Sequence, residues 1–259
     1  MDIKLSPKVT LYHAHHSTCS QKVRIALAEK GIEFESVIVD LANKGHLTPE
    51  YLAINPNGVV PTLVHNGATI VDSSVIIEYL DEVFDGPSLL PADPVARAKV
   101  RAWMRFLEEV PTYAVRVPSF NKAFLGRFEG MSNDEFQESQ ADVRPLRKHF
   151  YRKMSENGFG AEAVQESLDQ MTLTCSRMQK ALQDGPWLAG EDFSLADVVA
   201  APLIDRMADL GLDDIWTTDF PLVEDWFQRM KARPTYDIAI YAGARLSETH
   251  QIRELAAKV

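Results

Sequence analysis

Cysteine is scarce: Cys19 and Cys175 are the only two, and they form no Cys-x-x-Cys pair. That excludes a cysteine-built zinc cluster and fits a reducing compartment. Long apolar runs are also missing. None approaches the roughly 18 residues that a membrane helix requires, and the amino-terminal Met1-Asp2-Ile3-Lys4-Leu5-Ser6-Pro7 has no signal core. The chain therefore reads as soluble and cytoplasmic, without a membrane partner. An excess of basic residues is absent too: 27 Lys and Arg face 37 Asp and Glu, for a net charge of -10, which argues against nucleic acid, since phosphate binding needs clustered cations. There is no internal repeat and no low-complexity tract. What remains is a chain of 259 residues, 46% apolar and 25% charged, long enough to bury a full core and to divide into two domains.

The most telling stretch is Val59-Val60-Pro61-Thr62-Leu63, followed by Val71-Asp72-Ser73-Ser74. Pro61 falls inside what otherwise reads as a buried strand, where proline forfeits a ladder hydrogen bond. Such a strand must present backbone to something other than a neighbouring strand. A cis Val60-Pro61 bond would turn the Val60 N–H and C=O outward as a docking edge for an extended peptide. Asp72 and Ser73 then open a helix over Val75 to Val83, whose free N–H groups and positive dipole end suit a carboxylate. Together these features make a site for a small acidic peptide.

Around them the pattern is strand (Val9 to Tyr12), helix (Ser20 to Lys30, stopped at Gly31), strand (Phe34 to Val39), then a turn at Asn55 to Gly58, the Pro61 strand, a hairpin turn at His65 to Ala68 and a return through Thr69 to Val71. This order implies a mixed sheet with packed helices and a right-handed first crossover. Gly86 to Pro91 reads as a linker. From Asp93, an N-cap with Pro94 in the first helical position, the pattern becomes helical. Pro111 and Pro118 break or kink the first long helix, Ser132 with Glu135 forms a capping box, Gly158 to Gly160 separates the next helix, and Ser194 to Asp197 is another capped start with Phe193 as its staple. The domains are accordingly 1–86 and 93–259.

Taken together, Tyr12 to Phe34 with Ser17-Thr18-Cys19-Ser20, Asn55 to Leu63, Asp72-Ser73, Ile77-Glu78-Tyr79-Leu80 and Ser194 to Asp197 resemble the cytosolic glutathione transferases over nearly the whole chain. The resemblance implies an α/β thioredoxin-like N-terminal domain that binds glutathione as co-substrate, and an all-helical C-terminal domain that shapes a site for a hydrophobic aromatic electrophile. It also implies a homodimer, or a heterodimer with a related subunit. Ile54 to Gly58 through Phe84, Ser132 to Phe136 and the long insertion to Gly160 look most like the bacterial β-etherases, which use glutathione to cleave β-aryl ethers of lignin. The Ser-x-Cys-Ser run also resembles maleylacetoacetate isomerases and tetrachlorohydroquinone reductive dehalogenases.

Within that resemblance Ser17 is the candidate catalytic hydroxyl, lying between strand one and helix one, where it can donate to a sulfur held at the helix amino terminus. A thiol of pKa about 8.5 is roughly 3% thiolate at pH 7, and a depression of about two units, worth roughly 2.7 kcal/mol, makes it mostly thiolate. One charge-assisted hydrogen bond and a helix terminus can supply that. Thr18 is the substitute, and either hydroxyl could instead simply cap the helix. Cys19 carries an alternative: in the dehalogenase relatives the cysteine here attacks a glutathione conjugate and forms a mixed disulfide, whereas a small buried apolar role is its plain reading. The resemblance places His46 where relatives hold a polar side chain reaching the glutathione glycine carboxylate, with a solvent-exposed loop as the competing reading; Val60, before Pro61, is expected to pair with the cysteinyl backbone, and Asp72 and Ser73 to hold the γ-glutamyl end. The electrophile pocket is expected from His15, Trp103, Phe106 and Tyr113, although an aromatic stripe at helical spacing also describes plain core. His13, His15 and His16 lack a partner at metal-ligand spacing, so no metal is expected. Asp197 is expected to anchor its helix. The expected enzyme delivers glutathione thiolate to an aromatic or benzylic electrophile; the alternatives are a Cys19-dependent reductive dehalogenase or disulfide reductase, and a non-catalytic glutathione or aromatic ligand-binding protein.

Overall fold

A computed structural model describes residues 8–255; Met1 to Pro7, expected to lack a signal core, lie outside the described residues. Strand β1 (Val9–His13) leads into α1 (Thr18–Glu29), β2 (Glu35–Ile38), α2 (Pro49–Ile54), β3 (Thr62–His65), β4 (Ala68–Val71) and α3 (Ser73–Val83). The sheet order is β2-β1-β3-β4. β1 pairs parallel with β2 and antiparallel with β3, and β3 pairs antiparallel with β4. This is the mixed sheet expected from the strand-helix-strand, strand-strand-helix order. The parallel pair needs the α1 crossover, whereas β3 and β4 need only a tight turn.

The helical half follows: α4 (Pro94–Glu109), α5 (Pro111–Ala114), α6 (Arg116–Ser119), α7 (Asn133–Phe136), α8 (Lys148–Arg152), α9 (Ala161–Ala181), α10 (Leu195–Asp209), α11 (Asp214–Thr217), α12 (Pro221–Lys231) and α13 (Pro234–Ala239). Asp93 caps α4 by accepting from Ala96 N–H, and Val100, Met104 and Leu107 form its buried stripe at the spacing of one helix face. Pro111 starts a new helix instead of kinking the old one, which fits a residue that cannot donate at an interior position. The Ser132–Glu135 capping box is present, although the helix it opens gives way after Phe136 to a π-helical turn over 137–141. The Ser194–Asp197 box opens α10, and the buried Asp197 carboxylate also accepts from Leu188 N–H at 3.0 Å and Trp226 Nε1 at 2.8 Å. Burial pushes its pKa up to about 6 against the pull of those donors. Asp197 is thus an internal anchor.

One core crosses both halves. Leu11, Val23, Leu27 and Leu80 from the sheet side pack in the same cluster as Met104, Val198 and Trp226. A smaller aromatic cluster of Val117, Phe128, Phe136, Phe150, Met154 and Phe159 lies in the segment between α6 and α9.

Two expectations need correction. Pro61 stands outside the strand: β3 begins at Thr62, and the preceding Val60-Pro61 bond is cis. Helix α1 starts two residues before the expected Ser20, because Ser17 Oγ accepts from Ser20 N–H at 3.2 Å and so sets the N-cap at Ser17.

A candidate active site between the sheet and the helical half

A cavity of about 720 Å³ opens between the loop after β1, the loops before α2 and β3, and the helical segment from α6 to α8. Its floor is the sequence His15 to Cys19. That loop is held from behind by Arg24, whose guanidinium donates to Ala14 O at 3.2 Å, His15 O at 3.0 Å and Ala239 O at 2.7 Å. Ser20 Oγ accepts from Ala14 N–H at 3.3 Å. Ser17 receives the Ser20 N–H, but its own hydroxyl proton finds no acceptor among the described residues. Ser17, Thr18 and Cys19 all line the cavity, and Cys19 is a partly exposed free thiol. A hydroxyl with an undirected proton at the amino end of a 12-residue helix can donate to an anion held at that helix end.

Facing this floor is an unpaired stretch of backbone. The Val60 N–H and C=O have no partner among the described residues, while the segment around them is clamped: Tyr51 Oη donates to Val59 O at 2.7 Å, and Asn55 Nδ2 donates to Val59 O at 3.0 Å and Thr62 Oγ1 at 2.9 Å. The β3–β4 ladder ends where Thr62 pairs with Val71. Asp72 has φ 74° and turns its carboxylate onto Ser74 and Val75 N–H, capping α3. Ser73 is buried, and its hydroxyl is unpartnered among the described residues. Neither Asp72 nor Ser73 lines the 720 Å³ cavity itself, whereas His46 and Val60 do. His46 is buried, and its Nδ1 has no partner among the described residues. Burial, then the charges of Arg144 and Lys44, lowers its pKa to about 4, so the ring is neutral near pH 7.

The far wall differs from the one expected. His15 lines the cavity, but Trp103, Phe106 and Tyr113 do not. Trp103 and Phe106 meet edge-to-face with ring centres 5.8 Å apart and pack on the core, Phe106 lies under Arg177, and Tyr113 packs edge-on to Phe150 within the smaller cluster. The aromatic wall comes instead from Phe120, Phe124, Phe128, Phe150 and Tyr151. Cations line the cavity too: Arg116, Arg127, Arg144 and Arg147 from this segment, Lys44 from the loop after β2 and Arg206 from α10, against one lining acid among the described residues, Asp40. Asp40 is already occupied by Asn43 and Ala42 N–H, and the Asn43 bonds hold its carboxyl below the usual range. Sequence reasoning missed these arginines because they come from separate elements and read individually as solvated charges.

A carboxy-terminal segment closes the rear. Tyr241 Oη and His15 Nδ1 lie 2.6 Å apart, Thr249 Oγ1 and His16 Nε2 lie 2.7 Å apart, and Arg253 N–H donates to Lys122 O at 2.8 Å. Arg206 donates to His16 O. Burial, then His250 and Arg206, lowers the His16 pKa to about 4. No group of three metal-ligating side chains occurs among the described residues, and no helix among them is long and apolar enough to cross a membrane.

Family models describe both halves: glutathione S-transferase, N-terminal domain, over residues 16–83, and glutathione S-transferase, C-terminal domain, over residues 137–234. The chain is 31% identical to Protein LigF of Sphingobium sp. (strain NBRC 103272 / SYK-6), over 86% of this chain and 90% of that protein. It is 28% identical to the tetrachloro-p-hydroquinone reductive dehalogenase of Sphingobium chlorophenolicum, over 90% and 96% of the two chains. Among solved structures, β-etherase LigF from Sphingobium sp. strain SYK-6 superposes with a TM-score of 0.81 at 30% identity, covering 90% of this chain and 98% of that one.

Proposed function

The chain belongs to the glutathione S-transferase family, with glutathione as co-substrate, and from that premise we propose that Ser17 stabilises the thiolate of glutathione for attack on an aromatic or benzylic electrophile. The observation that carries this reading is the Ser17 hydroxyl, whose proton is undirected at the amino end of α1 in the cavity floor. Glutathione lies extended along the unpaired Val60 edge before Pro61, as an added strand does. Its γ-glutamyl carboxylate meets Ser73 and the α3 amino terminus, Asp72 meets its ammonium, and its glycine end approaches His46, whose orphan Nδ1 needs a partner. Thr18 lines the same floor and is the alternate hydroxyl.

The LigF likeness supports cleavage of a β-aryl ether as the reaction. The thiolate forms a C–S bond at the carbon next to a ketone, and the C–O bond breaks with its electron pair leaving on the phenolate. A phenol of pKa about 10 leaves without a strong general acid, so positioning and thiolate stabilisation supply most of the rate.

Reductive dehalogenation or disulfide reduction through Cys19 is a second reading, favoured by the free, partly exposed thiol beside Ser17. Incubation with glutathione disulfide followed by mass spectrometry separates the two, since an adduct on Cys19 supports the redox reading. Turnover of a β-aryl ether ketone, a halogenated hydroquinone and a chloronitrobenzene with glutathione tests the class. Absence of turnover on all three supports a glutathione or aromatic ligand-binding protein instead.

We also take 1–86 and 93–259 as the two domains, and assign the protein to the cytoplasm as a homodimer, or a heterodimer with a related subunit. Exposed Val75, Val83 and Val95 on and beside α3 and α4 support association. Light scattering tests it.

A further inference from the structure

The cations around the cavity divide into engaged and unengaged. Arg144 donates to the Gln140 carbonyl and lies 3.9 Å from the Tyr151 ring centre, Arg206 pairs with Asp209 at 3.7 Å, Arg127 lies 2.9 Å from His250 Nε2, and Lys44 donates to Ser139 O at 3.0 Å. Arg116, at the start of α6, and Arg147, at the N-cap of α8, have neither a side-chain hydrogen bond nor an ion pair among the described residues, yet both line the cavity. The carboxylate that acts on both, Glu108, is already occupied: it accepts from Lys22 Nζ and from Ser74 Oγ, each at 2.7 Å. Burial, then the like charge of Arg116, pulls Arg147 down to about 10. Two cations lining one cavity with no ion pair among the described residues are costly unless something anionic joins them.

We infer that Arg116 and Arg147 form the receptor for a carboxylate carried on the aromatic electrophile. This rests on the transferase reading above and narrows its substrate class. The surroundings fit such a molecule. Phe120, Phe150 and Tyr151, which meet one another tilted or edge-to-face with ring centres 5.4 to 5.6 Å apart, offer the ring a wall in the same cavity, and a guanidinium pair matches the planar fork of a carboxylate better than any point charge does. Cys19 and Ser17 line the same space, so the acid end and the reacting end of one small aromatic are accommodated together. The carboxylates of glutathione have other receivers, the Ser73 and His46 ends of the backbone edge. The chain as a whole is acidic, at -10, yet it concentrates positive charge here, where low-dielectric walls focus the field on entering anions.

The test pairs a chloronitrobenzoate with its uncharged methyl ester. In both, the glutathione sulfur bonds to the ring carbon bearing chlorine and chloride leaves with the electron pair. With saturating glutathione, the acid-to-ester ratio of kcat/KM, each value divided by that compound's uncatalysed rate constant with glutathione thiolate, should be about tenfold or more, the worth of roughly one charge-assisted contact, and the ratio should shrink with salt. Arg147→Gln and Arg116→Gln should each collapse the ratio toward one, while Arg147→Lys keeps part of it. Calorimetry of a non-reacting nitrobenzoate against its ester gives the same comparison without turnover, so an inactive Ser17 or a wrong thiolate assignment does not mask it. Equal binding of acid and ester overturns the inference. So does a loss of glutathione affinity in Arg147→Gln without any change in the acid-to-ester ratio, which would assign the pair to glutathione itself.

Discussion

Arg24 Nη1 donates to His13 Nδ1 at 3.2 Å, and this fixes the tautomer of a buried histidine at the end of β1. With Nδ1 accepting, Nε2 carries the proton and donates to Ser36 Oγ at 2.7 Å, which ties β1 to β2. The remaining Arg24 donors hold the carbonyls of Ala14 and His15, just ahead of Ser17. A helix-borne guanidinium therefore sets the position of the loop that carries Ser17. Arg24→Lys, which keeps the charge and loses the fork, should destabilise the fold by about 2 to 4 kcal/mol through unpaired buried acceptors. It should also lower turnover about tenfold or more by loosening Ser17. Urea unfolding and steady-state rates check both, and a variant matching the parent in each would sink this account.

Ser17→Ala should raise the thiol pKa of bound glutathione by about one to two units and cut turnover roughly 10- to 100-fold near pH 7, with glutathione affinity little changed. Cys19→Ala should then cost little, and the redox reading predicts the reverse order. Thiolate absorbance against pH, recorded beside rates for both variants and for Thr18→Val, decides which side chain acts. A parent titration midpoint equal to that of free glutathione removes the role given to Ser17.

Removing the Ser73 hydroxyl with Ser73→Ala should weaken glutathione binding by about 1 to 2 kcal/mol, the worth of a hydrogen bond to a charged group. Calorimetry returning the parent affinity would refute the γ-glutamyl placement.

Acid should unfold this protein through its histidines. His13, His16 and His46 are each lowered from 6.5 to about 4, with burial the largest cause in every case. Between those values the unfolded chain takes up protons that the fold refuses, so stability is complete above about 6.5 and is lost as pH falls toward 4. Asp197, raised from 3.8 to about 6, opposes this over part of the same window, but it is one group against three. Urea midpoints at about pH 5 and about pH 7 should therefore differ, with the lower pH less stable and His46→Asn showing a smaller difference. Equal midpoints for the parent would contradict it.

The sheet half is legible in the sequence because its signals are local. The turn at Asn55 to Gly58 and the Asp72 cap each restrict the backbone within a few residues and appear where expected, whereas Pro61 delays the strand expected around it to Thr62. Helix α2 escapes the strand-and-turn reading, although Thr48 capping with Pro49 at the first position is itself a start signal. The helical wall is not legible. Trp103 and Phe106 carry the periodicity of a face, but periodicity does not say which neighbour the face meets, and here α4 turns that side to the core and Arg177. The real wall combines Phe120, Arg116, Arg147 and Tyr151 from a segment broken by π-helical and 3-10 turns, where no single helical period applies.

The fastening of His15 by Tyr241 and of His16 by Thr249 has a consequence for how the protein comes into being. A ribosome releases the loop bearing Ser17 early, together with the sheet and α1 that shape it, yet the side chains that brace that loop from behind are synthesised only after α13. The nascent chain can thus fold the sheet and α1 well before the loop bearing Ser17 gains the bracing of Tyr241 and Thr249.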